Sequence, residues 1–330
     1  MNEIFELGIA IILFIQGLGA WLLAPMKLAT FLGYEEFYLF VAPAIYWCFS
    51  TSLGLRLGLS LMISGSLNSV LKMAMHGPRP YWLDPKVHPY SSEISFGVPS
   101  GHAQNATVVW GTLAAWLRRR WAWVAAGVLI FLIGFSRLYL AVHFPHDVLL
   151  GWLIGALLLW LILALEGRLM AWLGKMKITE QALAALGFSL AMILLGALMR
   201  LGWSNWSFPA EWAQNAASAV TQIEPINPWA LSGIVSNAGT FFGLALGGLW
   251  IKSRNGFDVS GPAWQRLARF LIGVAGVALL WYGLGAVFPR GETWLPFLLR
   301  YLRYALVGLW ITGLSPILFI RFGLAKPLQS

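Results

Sequence analysis

Runs of about twenty apolar residues recur along almost the whole chain, and they leave few folds open to it. They fall at 4–24, 37–54, 57–76, 101–117, 122–141, 147–165, 182–200, 229–251, 268–288 and 297–320. As a helix, a run of that length matches the hydrocarbon core of a bilayer, about 30 Å thick. Composition agrees, with 59% of residues hydrophobic and 11% charged, where a soluble domain carries about 25% charge. The expected fold is therefore all-α, a polytopic transmembrane helix bundle with one helix per run. The first run is the weakest, because Gln16 and several glycines interrupt it, and it is expected to lie partly along the interface.

The net charge of +9 does not imply a nucleic-acid partner. In a chain of this kind Lys and Arg gather in cytoplasmic loops. With the N-terminus inside, the larger share of the 22 Lys and Arg falls on inner loops. The single cysteine, Cys48, lies within an apolar run and excludes a disulfide framework and a cysteine-based zinc site. The first residues, MNEIFELG, are acidic where a signal peptide is basic, so a retained helix is expected. Two outer segments are too polar to span. Segment 77–99 is rich in Pro, Ser and Tyr and should fold over the helix ends. Segment 201–228 carries Trp203, Trp206 and Trp212, which suit the headgroup layer.

Three clusters carry chemistry, and the same topology puts all of them at the outer ends of helices. In the first, Lys72 precedes His76-Gly77-Pro78-Arg79-Pro80. Lys offers a point charge and Arg a planar fork, both suited to phosphate oxygens. The second is Pro99-Ser100-Gly101-His102 at the start of a helix, whose free N–H groups make a ready anion site. The third is Ser136-Arg137 followed by His143-Phe144-Pro145-His146-Asp147. Pro145 suits the first turn of a new helix, and Asp147, four residues past His143, can accept a bond from that imidazole. A His oriented by an Asp is the arrangement of an activated base or nucleophile. Singly, each cluster has an ordinary structural reading as a snorkelling cation, a helix cap or a satisfied interfacial His pair. Three on one face point to a single site.

Lys72-x6-Arg79-Pro80, Pro99-Ser100-Gly101-His102 and Ser136-Arg137-x5-His143-x3-Asp147 resemble the three motifs of the type 2 phosphatidic acid phosphatase (PAP2) superfamily in order and in internal spacing. Arg79-Pro80-Tyr81-Trp82 and His143-Phe144-Pro145-His146 are also similar to segments of glucose-6-phosphatase, and Glu93-x-Ser95 to sphingosine-phosphate phosphatases. The resemblance implies an N-terminal helix over 1–36, a six-helix phosphatase core at 37–166 and about four further transmembrane helices in 167–330.

The resemblance also implies roles. His143 attacks phosphorus and forms a phosphohistidine, Asp147 holds the His143 ring, and His102 serves as acid and then base. Lys72, Arg79, Ser100, Gly101 and Arg137 bind the phosphate oxygens, with His76, Tyr81, Glu93 and His146 as secondary candidates. Side-chain cations supply the positive charge, so no metal and no other cofactor is expected. The expected activity is hydrolysis of a lipid phosphate or pyrophosphate, the lipid being the partner, at the outer face of a bacterial plasma membrane. A water-soluble sugar phosphate, a phosphotransferase reaction and a lipid transporter or flippase are the alternatives. Substrate identity, oligomeric state and the role of 167–330 stay open.

Overall fold

A break between Gly17 and Ala20, with Gly19 at φ 118°, divides the first apolar run. The computed structural model describes residues 3–219 and 225–328. In it α1 (Glu3–Gly17) and α2 (Leu23–Phe31), the latter entered through a turn of 3-10 helix, form a pair bent by 89°. The run at 4–24 is thus not one straight span. Glycine supplies the positive φ that the bend needs without a steric cost.

The run at 37–54 also divides. Helix α3 (Glu35–Cys48) contains Pro43 and ends before α4 (Thr51–Met75) begins. Fourteen residues rise only about 21 Å, short of the bilayer core. Then come α5 (Pro80–Leu83), α6 (Gly101–Leu117), α7 (Arg120–Tyr139), α8 (Pro145–Leu173), α9 (Ile178–Gly202), α10 (Ala210–Ala219), α11 (Ser232–Lys252), α12 (Ala263–Ala278), α13 (Leu284–Val287), α14 (Trp294–Leu309) and α15 (Ser315–Arg321). Among the described residues, seven helices are long and apolar enough to cross a membrane, or eight if the bent pair is one span. The protein is an all-helical, membrane-embedded chain.

Two compact units emerge. The first comprises residues up to Phe37, Leu67–Leu161 and Leu195–Ala230. An apolar cluster in it joins Ile9, Ile12 and Ile15 of α1 to Tyr81, Trp82, Phe96, Tyr139 and Phe144. Of segment 201–228, residues 220–224 lie outside the described residues. Trp206 and Trp212 pack on that cluster, Trp212 lies 6.0 Å from the Trp82 ring, and the Asn215 amide donates to the Trp82 carbonyl at 2.9 Å. The indoles thereby pack against the 76–96 loop.

The second unit comprises Tyr38–Ser66, Ile162–Leu194 and the chain from Leu231 onward. Here α11 lies along α14. Gly239 and Gly243 present no side chain to the carbonyls of Tyr301 and Ala305, and Gly247 meets the Thr312 hydroxyl. A Cβ at any of them would collide, so the small-residue stripe is used within the chain. A π-helical turn at Trp310–Leu314 loosens the backbone ladder, and Tyr46 Oη and Trp47 Nε1 donate to the carbonyls of Thr312 and Ile311 at 2.9 and 2.8 Å.

Candidate active site

Four helix ends meet in the first unit: the C-termini of α4 and α7 and the N-termini of α6 and α8. Backbone bonds stitch them together. Gly97 N–H donates to the Gly77 carbonyl at 2.8 Å and Ser100 N–H to the Asp147 carbonyl at 2.9 Å. The three sequence clusters are therefore joined through main chain as well as side chain.

The turn between α7 and α8 presents His143. Pro145 opens α8, and Asp147 in its first turn reaches back so that Oδ2 accepts the Phe144 N–H at 2.9 Å. This is the logic of a capping box, a first-turn carboxylate satisfying the N-cap amide. The same Oδ2 lies 3.3 Å from His143 Nδ1, and both side chains are buried. On the other side of the ring, Arg79 Nη1 lies 3.4 Å from His143 Nε2. Guanidinium can only donate, so the nitrogen it faces carries the lone pair. Nδ1 then carries the proton and donates it to Asp147. Burial first, then the cations Arg79, Lys72 and Arg137, hold the His143 pKa well below the usual imidazole range. A neutral ring with its lone pair on Nε2 is the form of a nucleophile.

Arg79, fully buried, is more heavily engaged than the sequence suggests. Nε donates to the Ser95 carbonyl at 2.7 Å, Nη2 to Ser95 Oγ and the Phe96 carbonyl at 3.1 Å each, and Nη1 to the Val142 carbonyl at 2.8 Å besides facing His143. All five N–H groups are directed at an acceptor. Arg79 thus ties the 95–96 loop to the His143 turn, and a phosphate oxygen would share its Nη groups. Lys72 Nζ donates to the same Ser95 Oγ at 3.0 Å.

Arg137, also fully buried, keeps donors in reserve. Nη1 donates to Thr30 Oγ1 at 2.6 Å and Nη2 to Glu93 Oε1 at 2.5 Å, while Nε–H has no partner among the described residues. Glu93 also stands 3.8 Å from Arg79. Burial alone would raise the Glu93 pKa, but Arg79, Arg137, His102 and Lys72 override it and bring it to about 2. The carboxylate lies among the cations where an anion is favoured. Ser100 caps α6, its Oγ accepting the Ala103 N–H at 3.5 Å, and Gly101 follows with Asn68 Oδ1 2.9 Å from where a Cβ would stand. His102 Nε2 is buried without a partner among the described residues.

Of the secondary candidates, Glu93 is at the cations. Tyr81 fixes it, its hydroxyl donating to the Glu93 carbonyl at 3.0 Å and accepting the Glu93 N–H at 3.1 Å. His146 stacks on Phe144 and lies 3.2 Å from Asp147 Oδ1. His76 is turned away, ringed by Phe96, Trp203, Trp206 and Trp229 at 4.3–5.4 Å. Sequence reasoning did not single out Thr30, Tyr34 or Ser95 as site residues. Thr30 and Tyr34 lie at and just past the end of α2 and Ser95 in the Ser-rich 77–99 segment, and only the folded backbone brings them to a buried cation.

Two family models match: the PAP2 superfamily over residues 53–171 and the PAP2 superfamily phosphatase transmembrane extension over 235–327. The chain is 33% identical to phosphatidylglycerophosphatase B of Bacillus subtilis over 162 residues, 45% of this chain and 77% of that protein. The chain belongs to the PAP2 superfamily. It is a membrane phosphatase by family, and every one of Lys72, Arg79, Ser100, His102, Arg137, His143 and Asp147 falls inside the PAP2 match. It is also similar to glucose-6-phosphatase 3 of Bos taurus, 29% identical over 66% of this chain and 67% of that one. Among solved structures, the transmembrane PAP2 phosphatidylglycerolphosphate phosphatase of Bacillus subtilis is 29% identical, with a TM-score of 0.45 over 51% of this chain and 88% of that one. Thr30 and Tyr34 lie outside both PAP2 models.

Proposed function

We propose that this PAP2 protein hydrolyses a lipid phosphate or pyrophosphate through a phosphohistidine on His143. The observation that carries the reading is the bracketing of His143, with Arg79 donating toward Nε2 and Asp147 accepting from Nδ1–H. His143 Nε2 gives its lone pair to phosphorus, and the bond from phosphorus to the ester oxygen breaks. His102 delivers a proton to that leaving oxygen. Asp147 balances the charge that the ring gains. His102, now neutral, takes a proton from water, whose oxygen attacks phosphorus. The P–N bond breaks and its electron pair returns to His143. Lys72, Arg79, Arg137, the Ser100 hydroxyl and the first N–H groups of α6 hold the non-bridging oxygens, on which negative charge is spread in the transition state. Glu93 yields Arg137 and Arg79 to the incoming dianion.

A lipid substrate is supported by the membrane-embedded fold and by the similarity to phosphatidylglycerophosphatase B. A phosphate presented at helix ends is within reach of a molecule whose tail stays in the bilayer. A water-soluble sugar phosphate is the second reading, favoured by the longer alignment to glucose-6-phosphatase 3. We place the protein in a bacterial plasma membrane with this site on the periplasmic side, in keeping with the loop charges. The test is phosphate release from purified protein given phosphatidylglycerol phosphate, phosphatidate, a polyprenyl diphosphate, a sphingoid phosphate and glucose 6-phosphate, with His143→Ala as the blank. Release from the sugar phosphate alone would reverse the order of the two readings. Release undiminished in His143→Ala would remove the mechanism.

A further inference from the structure

The bent N-terminal pair brings α2 against α7, and with it residues 30–34 against the site. Thr30, 2% exposed, accepts from Arg137 Nη1 at 2.6 Å. Tyr34 is hydrogen-bonded to the same guanidinium, and its ring stands edge-on to His102 with centroids 5.0 Å apart and planes at 74°. Gly33 lies between them, and a Cβ there would come within 3.0 Å of His102 Cδ2. One short segment therefore touches both a cation and an imidazole of the site.

The geometry points to Thr30 and Tyr34 as positioning residues of this phosphatase, Thr30 for Arg137 and Tyr34 for both Arg137 and His102. An arginine gripped at one Nη by Thr30 and at the other by Glu93 cannot rotate in its plane. When phosphate displaces Glu93, Thr30 and Tyr34 remain as the acceptors that keep the guanidinium in place. Without them a buried charge would lose both its satisfaction and its aim. Tyr34 closes the side of the pocket where His102 must stand to meet the leaving oxygen, so its ring sets the His102 rotamer.

The inference rests on the reading of Arg137 as a phosphate ligand and His102 as the acid–base group, and the test separates the two. Inhibition by vanadate, a mimic of five-coordinate phosphorus, is measured on the full-length protein in detergent or nanodiscs. Thr30→Val should weaken inhibition by about 10-fold or more, the scale of a hydrogen bond to a charged group. Thr30→Ser should restore it. In an Arg137→Ala background Thr30→Val should add nothing, because its effect runs through that side chain. Tyr34→Phe should weaken vanadate binding and leave the pH profile in place, and Tyr34→Leu should also move the limb that belongs to His102. If Arg137→Ala weakens inhibition while Thr30→Val and Tyr34→Phe do not, this inference falls and the phosphate clamp stands. If Arg137→Ala itself binds vanadate normally, the clamp falls and the inference with it.

Discussion

The N–H of Ser100 donates to the carbonyl oxygen of Asp147 at 2.9 Å, locking the start of α6 to the first turn of α8. One turn into α8, Gly151 lies so close that a Cβ there would stand 2.6 Å from the Ser100 carbonyl oxygen and 3.0 Å from Ala103 Cβ. The nearest atom is backbone and cannot rotate away. Gly151→Ala should therefore push the two helix starts apart, separating the cap that carries His102 from the turn that carries His143. We expect a loss of about 1–3 kcal/mol of stability from overpacking and a larger proportional loss of turnover. Thermal unfolding and phosphate release on the same preparation check both. Gly127→Ala is the control, since nothing lies within 4 Å of the added Cβ.

His143 and His102 should fail differently. If His143 is the nucleophile, as proposed, His143→Ala should leave no measurable turnover, with the fold intact by thermal melting. His102→Ala should cost about two to four orders of magnitude in turnover, the usual contribution of a proton-transfer group. Part of that loss should return with substrates whose leaving group departs without a proton, such as a nitrophenyl phosphate. Equal losses on alkyl and nitrophenyl esters would remove His102 from the protonation step.

The motif residues were legible because each lies next to a local signal that fixes a helix end. Pro145 starts α8, Gly77-Pro78 follows the end of α4, and Ser100 caps α6. Residues whose positions depend on distant chain were not legible. Ser95 is tied to Lys72 and Arg79 only by the course of the 84–99 loop. Thr30 reaches Arg137 only because the first apolar run bends by 89°. Hydropathy also misjudged 37–54, since an apolar window does not register that α3 stops at Cys48 before α4 begins. Residue type alone suggested the headgroup layer for the Trp residues of 201–228, and it carried no sign of the ring contacts that Trp206 and Trp212 make with Phe96 and Trp82.

The limb of the pH dependence set by the nucleophile follows from His143. Its folded pKa lies well below 6.5, with burial the first cause and the cations Arg79, Lys72 and Arg137 next. In the proposed mechanism the attacking form is neutral, so activity should be retained as pH falls through 6.5 and be lost only on approaching the lower folded value. Removing a neighbouring cation raises that value. The acid limb of kcat/KM should therefore move to higher pH in Lys72→Gln, besides the loss in rate. Glu93, held at about 2 against an ordinary 4.5, stays ionised and contributes no limb above pH 4.5. Its pairing supports the fold above about 4.5, and that support fades as pH falls toward 2. A limb centred near 6.5 and unmoved by Lys72→Gln would contradict this assignment.

Ser95 Oγ accepts from two cations at once, Lys72 Nζ at 3.0 Å and Arg79 Nη2 at 3.1 Å. Like charges are held together there by one small dipole, in a site where Lys72 is 9% exposed and Arg79 wholly buried. Ser95→Ala leaves a donor on each cation without its acceptor. The cost of a buried unsatisfied group is about 1–3 kcal/mol, more for a charged one. Part of that cost is relieved when phosphate binds, because its oxygens replace the missing acceptor. Ser95→Ala should therefore lower thermal stability without phosphate and show a larger stabilisation by vanadate or phosphate than the parent protein. Loss of an ordinary packing contact would lower both melting temperatures equally. Melting curves with and without vanadate distinguish the two, and an unchanged ligand-induced shift would show that Ser95 does not act through the cations.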